Sequence, residues 1–381
     1  VFWAERSELL AALSVDAATR NWSVRADQPE LACASAWSAA CRAWWEERAD
    51  DRLRSAVRST LHIGAADLAT WKTTAFDQRG LIRAHAHVTA TRAGVERSDV
   101  KRRLVSGTLR DRAVASAHRT GQLLMFPPAS DVPEMLATVA PWLAELPPNP
   151  FLRAAWIAIV VGAIHPFLDG NGGTGRFLAS VELARAWLPP VSISSVQRDG
   201  SYIEGVIALD VVRVEREMYE TVQRGLATAL LAGDHGDTVW DDVTRRRADR
   251  LLSHAELHAR SFLGPVAIGP GGPGTITRLA RRGYRFTRSP RCVQWTLRTP
   301  APAQLELAIA HVVGGGTPWL VAMLGGSLAE DGVLGATPLS EWVPAVFVAA
   351  AHEDDAEVDA RFGNWLALRL SQCIRGLAAW M

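Results

Sequence analysis

Lysine is nearly absent: Lys72 and Lys101 are the only two, so arginine carries almost all the positive charge of this 381-residue chain. Net charge is nearly absent too, because 41 basic residues stand against 40 acidic ones. With so weak a global field, contact with a polyanion requires a local patch. Cysteine is scarce. Cys33, Cys41, Cys292 and Cys373 are spread too widely for a zinc knuckle or a disulfide framework, which makes a reducing cytoplasm the expected setting. Long apolar runs are missing. The longest, Ala154 to Ile164, has eleven residues, whereas a bilayer span needs about 20, so no membrane partner is expected. The first residues, VFWAERSELL, lack the basic region and apolar run of a signal peptide. What is present is ordinary globular material, 48% hydrophobic and 21% charged, which excludes a disordered or fibrous chain. The length allows two or three domains. Fifteen tryptophans are dispersed along it, as packing residues are.

Three parts are expected: a helical region over 1–90, a core over 91–237 and an accessory domain over 238–381. In the first, Leu31, Trp37, Cys41, Trp44 and Trp45 recur at helical spacings. A break falls near Gly80, and LIRAHAHVTATRAG forms a helix ending at Gly94. In the core, the run Ala113 to Ala117, the turn-like HRTG, and LLMF before Pro127 and Pro128 predict a β-hairpin with a four-residue turn. A helix is expected over 131–146. Asn149 is placed to cap the next one, with Pro150 at its first position. That helix runs to Ile164 and is apolar on all sides, as a central buried helix is. Residues 201–230 read as helical. Beyond 238 the charge segregates: 241–298 hold twelve arginines against four acids, and 299–381 hold three against nine. GPGGPG (269–274) reads as a turn or linker, 284–298 as a hairpin around Ser289-Pro290, and VVGGGTPWLVAMLGG as glycine-broken and ambiguous.

The most informative stretch is IHPFLDGNGGTGRFLAS, 164–180. His165 ends one helix, Asp169 follows, and Gly170, Asn171, Gly172 and Gly173 lead to a second helix starting near Thr174. Glycine-freed N–H groups at a helix start make an anion cradle. Arg176 in the first turn brings a planar fork of donors to the same place, where helix-dipole logic alone would not put a cation. Asp169 is an oxygen ligand suited to Mg²⁺, and His165 is the nearby group able to accept a proton near neutral pH. Phosphoryl or nucleotidyl transfer needs these parts. The plain alternative is a glycine-rich loop between two helices, with a capping aspartate and a core-facing histidine; the lysine and spacing of a P-loop are missing.

HPFLDGNGGTGR resembles the Fic-domain signature, H-x-F-x-(D/E)-G-N-G-R-x-x-R, with His165, Phe167, Asp169, Gly170, Asn171, Gly172 and Arg176 in place. GTLR (107–110), HRTG…FPP, LPPNPFLRAAW (146–156), LPP (188–190) and QRDGSYIE (197–204) resemble the family's flanks, so the likeness covers roughly 80–230. The resemblance implies a mainly α fold: a Fic-type helical core with a β-hairpin flap, beside a helical N-terminal region and a mixed α/β C-terminal domain, in part winged-helix-like. It implies Mg²⁺-dependent transfer of AMP from ATP to a hydroxyl of a protein Ser, Thr or Tyr. His165 would be the general base and Asp169 the Mg²⁺ ligand. Asn171 with the amides of Gly170 and Gly172 would form the anion hole, and Arg176 would meet the distal phosphates. Gly173, Thr174 and Gly175 would complete the nucleotide-binding turn, Phe167 would anchor the loop, and Tyr202 would lie against the base or simply pack. The target protein would dock on the flap near 115–120 by strand-like pairing.

Gly173 stands where the family has its first arginine. Losing a charged donor to phosphate costs about 1.5–3 kcal/mol of hydrogen-bond energy. Arg110, Arg119 and Arg198 are candidates to replace it. Otherwise the donor differs, the acceptor is a small molecule or peptide, or the chain is a non-catalytic scaffold. No copy of the family's inhibitory (S/T)-x-x-x-E-(G/N) pattern is found; Ser201 to Gly205 has a shorter spacing and reads as ordinary helix. Arg278, Arg281, Arg282, Arg285, Arg288, Arg291 and Arg298, beside Tyr284, Phe286 and Trp295, suit a nucleic-acid surface. The blander reading pairs such arginines with EDDAEVD (353–359), and no helix-turn-helix pattern favours DNA. His254 and His258, with Glu256 between them, read as surface residues. A homo-oligomer is compatible with the sequence.

Overall fold

The structure, a computed structural model, describes residues 6–20, 33–34, 36–39, 41–42, 71–93, 107–117, 123–191, 201–232, 242–263, 267–270, 291–297, 303–314, 317–328 and 345–378. The chain divides into two compact units, Val1–Leu31 with Leu53–Gly225, and Ala32–Arg52 with Leu226–Met381. None of the helices described is long and apolar enough to cross a membrane.

The first unit is mainly helical. It holds α1 (Arg6–Leu13), α2 (Val15–Arg20), α3 (Gln78–Ala93), α4 (Val132–Val139), α5 (Trp142–Glu145), α6 (Pro150–Ile164), α7 (Asn171–Arg185), α8 (Ser201–Ala208) and the first part of α9 (Val211–Ala232). At its centre lies α6. Asn149 caps it as expected: its side-chain oxygen accepts from the N–H of Phe151 at 2.8 Å and of Leu152 at 3.1 Å, with Pro150 at the first position. The helix is buried nearly all round, as its composition requires, with α7, α8, α1, α4 and α5 against it. Trp156 donates from Nε1 to the Leu13 carbonyl at 2.9 Å, and Arg153 reaches buried Glu182 of α7 at 2.6 Å.

Several boundaries differ from the expected ones. α3 starts at Gln78, not at the glycine: Asp77 accepts from the N–H of Gly80 at 2.7 Å, so Gly80 lies in the first turn. The helix expected over 131–146 is two, because Pro141 lacks the N–H that would continue the first. The helix expected to begin near Thr174 begins at Asn171, putting Gly172 and Gly173 inside its first turn. The stretch 201–230 breaks at Leu209, which is left-handed (φ 54°), and Asp210 accepts from the Arg213 N–H at 3.0 Å to start α9. The hairpin is present: β1 (Ala115–Ala117) pairs antiparallel with β2 (Leu123–Met125), Ser116 opposite Leu124. Its turn, with His118 and Arg119, lies outside the described residues, as do Leu31, Trp44, Trp45 and Gly94.

The second unit is mixed α/β. Five strands, β3 (Ala267–Pro270), β4 (Arg291–Leu297), β5 (Ala303–Gly314), β6 (Thr317–Leu328) and β7 (Ala345–Ala350), form an antiparallel meander in chain order. Alternate residues such as Leu307, Leu320 and Phe347 share one face, packed with Leu251 and Ala255 of α10 (Asp242–Leu263) and Phe362 and Leu366 of α11 (Asp355–Ala378). This meander with two long helices stands where the sequence suggested a partly winged-helix module. The ambiguous glycine-broken stretch is the β5–β6 hairpin, Gly314 opposite Thr317. Of the hairpin expected over 284–298, the second half is β4, but its partners are β3 and β5; the first half lies outside the described residues.

EDDAEVD is a pairing surface, for arginines other than those the sequence singled out. Arg247 and Arg250 reach Asp355, Arg250 also reaches Asp359, and Arg361 pairs with Glu353. Arg250 first, then Arg247, holds the Asp355 carboxyl below its usual range. The side chains of the arginine run 278–298 lie outside what is described. His254 and His258 are half-buried on α10, and no group of three or more His, Cys, Asp or Glu that could hold a metal is found among the described residues.

Candidate functional site

The site is the turn from α6 to α7. His165 closes α6 in the left-handed conformation, φ 51° and ψ 59°. A non-glycine residue there is uncommon and is held by its surroundings. Arg110 is what holds it. Its Nε donates to the His165 carbonyl at 2.8 Å and its Nη2 to the Ile164 carbonyl at 3.4 Å, which satisfies the open end of the helix with a cation. Nη2 also donates to the Pro127 carbonyl and Nη1 to the Arg112 carbonyl, while the Arg110 N–H donates to Pro166. Arg110 is buried, and burial lowers its pKa.

The imidazole of His165 stacks on Phe126, centroids 3.8 Å apart and planes 20° apart. Its Nδ1 lies 3.3 Å from the Gly162 carbonyl. A carbonyl only accepts, so Nδ1 carries the proton and Nε2 presents its lone pair. Burial pushes the His165 pKa down to about 4; the Gly162 carbonyl opposes it, Arg110 adds a smaller lowering and Asp169 a smaller raising. The ring is therefore neutral at physiological pH.

Beyond Pro166, the loop is built around Asn171. Its Oδ1 accepts from the Phe167 N–H at 2.9 Å and its Nδ2 donates to the Phe167 carbonyl at 2.8 Å. The amide thus staples the loop, and only its second N–H is left for the anion-hole contact expected of it. Phe167 is fully buried, as its anchoring role requires. Asp169 is exposed, and its Oδ1 accepts from the Gly170 N–H at 2.6 Å. Gly170 starts α7 with φ 82°, a conformation that favours glycine, and its carbonyl takes both the N–H (2.9 Å) and the hydroxyl (3.0 Å) of Thr174.

The N–H groups of Asn171, Gly172 and Gly173 precede any intrahelical acceptor, as in every first turn. Gly172 is exposed, and a Cβ there would lie 3.4 Å from Nη1 of Arg176. The absence of a side chain keeps the guanidinium within reach of that turn. Arg176 is itself buried, and its charge partly opposes the burial that pushes the Tyr202 phenol up to about 12. Tyr202 is a packed residue of α8. Thr174 and Gly175 also have places in the fold. The Thr174 hydroxyl is in the cap, and a Cβ at Gly175 would touch Val161 of α6 at 3.4 Å. Gly173 is buried. Of the arginines considered as replacements for the one missing there, Arg110 is fully engaged with carbonyls, and Arg119 and Arg198 lie outside the described residues.

His85 is a site residue that sequence reasoning passed over. Its ring stacks on Phe167 with centroids 3.8 Å apart and planes 7° apart. Nδ1 accepts from the Gly107 N–H at 3.0 Å, so Nε2 carries the proton and donates to the Asp169 carbonyl at 3.0 Å. Desolvation lowers its pKa. The signal was a polar residue on the apolar stripe Leu81, Ala84, His85, Val88 of α3, all buried.

Parts of the chain are similar to known proteins. Over 54 residues the chain is 44% identical to the Protein adenylyltransferase Fic of Drosophila persimilis, a stretch covering 14% of this chain and 11% of that protein. Over 48 residues it is 46% identical to a Fido domain-containing protein of Dictyostelium discoideum, covering 12% and 34%. The chain thus spans about a tenth and a third of the lengths of these relatives. Among solved structures, a Fic family protein from Desulfovibrio desulfuricans aligns at 19% identity with a TM-score of 0.33, over 72% of this chain and 83% of that one. Residues 75–183 match the model of the Fic/DOC family, and that stretch is a Fic/DOC domain.

Proposed function

We propose that the chain is a nucleotidyltransferase that moves AMP from ATP to a hydroxyl of an acceptor, a protein Ser, Thr or Tyr, in a Mg²⁺-dependent reaction. The observation that supports it most is the neutral His165, its Nε2 left to accept, at the head of a loop that carries the exposed carboxylate of Asp169 and leads into a glycine-built helix start with Arg176 close to Gly172. The residues fit the implied ligands. One exposed carboxylate with a spare oxygen is the usual protein contribution to Mg²⁺, which keeps waters and substrate phosphates for the rest. The bare Gly172 leaves a place for a phosphate oxygen between the first-turn amides and Arg176. When bound, Mg²⁺ supplies neutralisation of phosphate charge. In the step itself the acceptor oxygen forms a bond to the α-phosphorus, the bond from that phosphorus to the bridging oxygen breaks, and pyrophosphate leaves. The hydroxyl proton passes to Nε2 of His165, and Arg176 and the helix start hold the developing charge. The acceptor segment pairs with the hairpin, whose β2 leads into Phe126 beside the histidine.

A second reading is favoured by one observation: Gly173 lacks the family's arginine and Arg110 does not replace it. On that reading the donor is another phosphate-containing group, or the acceptor a small molecule or peptide. The test incubates the full chain with each nucleoside triphosphate and Mg²⁺ and reads the intact mass of the protein and of candidate acceptors. One nucleoside monophosphate is expected to appear, and His165→Ala should lower its rate by about 10²–10⁴. Gly173→Arg should tighten ATP on the first reading. Binding of no nucleotide would leave a scaffold role.

A further inference from the structure

We propose that Arg110 is a positioning residue for His165, clamping the exit of the hairpin to the end of α6 so that the imidazole is seated on Phe126 with Nε2 presented. This rests on the reading of His165 as the proton acceptor. One guanidinium reaches carbonyls on both sides. Arg112 precedes β1 and Pro127 follows β2, whereas Ile164 and His165 end α6. The backbone of Arg110 adds a bond from its N–H to Pro166 at 2.9 Å. Phe126, whose ring covers His165, is the residue immediately before the clamped Pro127 carbonyl. The hairpin is short, with three residues in each strand, and short hairpins are marginal on their own. Its footing beside the histidine therefore depends on this clamp.

Geometry and field act together. The left-handed His165 turns its carbonyl toward Nε of Arg110, and the bond at 2.8 Å compensates the strain of that conformation. The charged groups whose fields reach the imidazole are Arg110, which opposes its protonation, and Asp169, which favours it. Lysine supplies the charge but not the planar fork, and methionine supplies neither.

The test uses the full chain and two readouts. The first is the titration of the His165 ring by NMR without nucleotide, assigned by its loss in His165→Gln. Arg110→Met is expected to move the midpoint up, with loss of the ring-current shift from Phe126. Arg110→Lys should lose the ring-current shift with a smaller change in midpoint. The second is transfer. Both variants should lower kcat more than about tenfold with KM for the nucleotide nearly unchanged. Phe126→Leu, which leaves the clamp and removes the stack, should also raise the midpoint, and it carries the test if neither Arg110 variant folds. A folded Arg110→Met with the wild-type midpoint and ring-current shift overturns the proposal, as does an unchanged midpoint in Phe126→Leu. Absence of transfer in wild type with the NMR changes intact would refute the proposed function and leave the clamp standing.

Discussion

Two buried arginines show different uses of one side chain. In the meander unit, Arg361 gives one donor to the Glu353 carboxylate and another to the Val348 carbonyl at 2.9 Å, with the rings of Trp37 and Phe347 against it. Glu353 also accepts from Trp37 Nε1 at 3.1 Å and from the Ala350 N–H at 2.5 Å. Charge meets charge, and little field escapes. In the helical unit, Arg110 gives its donors to backbone carbonyls on two elements and keeps its charge, which is felt at His165. The first arrangement secures a fold. The second secures a fold and also sets the protonation of a neighbour.

Breaking the closed arrangement should have the largest effect on stability. Glu353→Ala leaves the Arg361 charge buried and two N–H groups without their acceptor. The expected loss is about 3–5 kcal/mol, read from urea unfolding of the full chain. Replacing both Glu353 and Arg361 with apolar residues of similar volume should recover much of it, because no lone charge then remains. A loss below about 1 kcal/mol in the single variant would mean that the pair is not closed in solution.

The open arrangement is tested by pH. If His165 is kept neutral by burial and by Arg110, the acid limb of kcat/KM should lie near 4 rather than at the 6.5 of an ordinary imidazole. The sign for stability follows the same way. The folded value lies below the unfolded one, so the contribution of neutral His165 is complete above about 6.5. It is lost as pH falls toward 4. An acid limb near 6.5 would show that the imidazole is not desolvated in the working protein.

Much of the site was legible because it is local in sequence. The cap at Asn149, the buried α6, the hairpin and the order from His165 to Arg176 all follow from neighbours within a few residues. What was hidden depends on contacts distant in sequence. His85 lies 84 positions from the Asp169 carbonyl it serves, and Arg110 lies 55 from His165. Periodicity placed His85 on a helix, and Arg110 stood in the GTLR flank, without showing what either would meet. The same limit concealed the partners of β4 and the pairing of the acidic stretch with Arg247, Arg250 and Arg361. Helix starts were missed by a few residues where glycines lay inside a first turn rather than before it.

A neutral staple should cost less than a broken ion pair. Asn171→Ala leaves the N–H and carbonyl of buried Phe167 unpaired, and the expected loss is about 1–3 kcal/mol. Asn171→Asp separates the two bonds, since a carboxylate still accepts from the Phe167 N–H but cannot donate to its carbonyl. Thermal unfolding should place it between wild type and Asn171→Ala. Equal losses in both variants would assign the staple to the donated bond alone.

The smallest effect is expected at Gly175, and it bears on whether that glycine serves a ligand or a helix contact. An added Cβ would sit 3.4 Å from Val161 Cβ and 3.6 Å from the Ala158 carbonyl, ordinary contact distances. Gly175→Ala should therefore be neutral or stabilising by up to about 1 kcal/mol, through helix propensity and reduced freedom of the unfolded chain. Gly162→Ala should have the opposite sign, because Cγ1 of Val206 occupies the place its Cβ would take. The two substitutions are chemically identical and both lie in helices of one packed pair, so their difference isolates the room available at each glycine. Nucleotide affinity measured on the same proteins completes the argument. If Gly175 is bare only to let α7 approach α6, the Gly175→Ala chain should bind as tightly as wild type. Weaker binding alongside unchanged or higher stability would move Gly175 from the helix contact to the ligand's side.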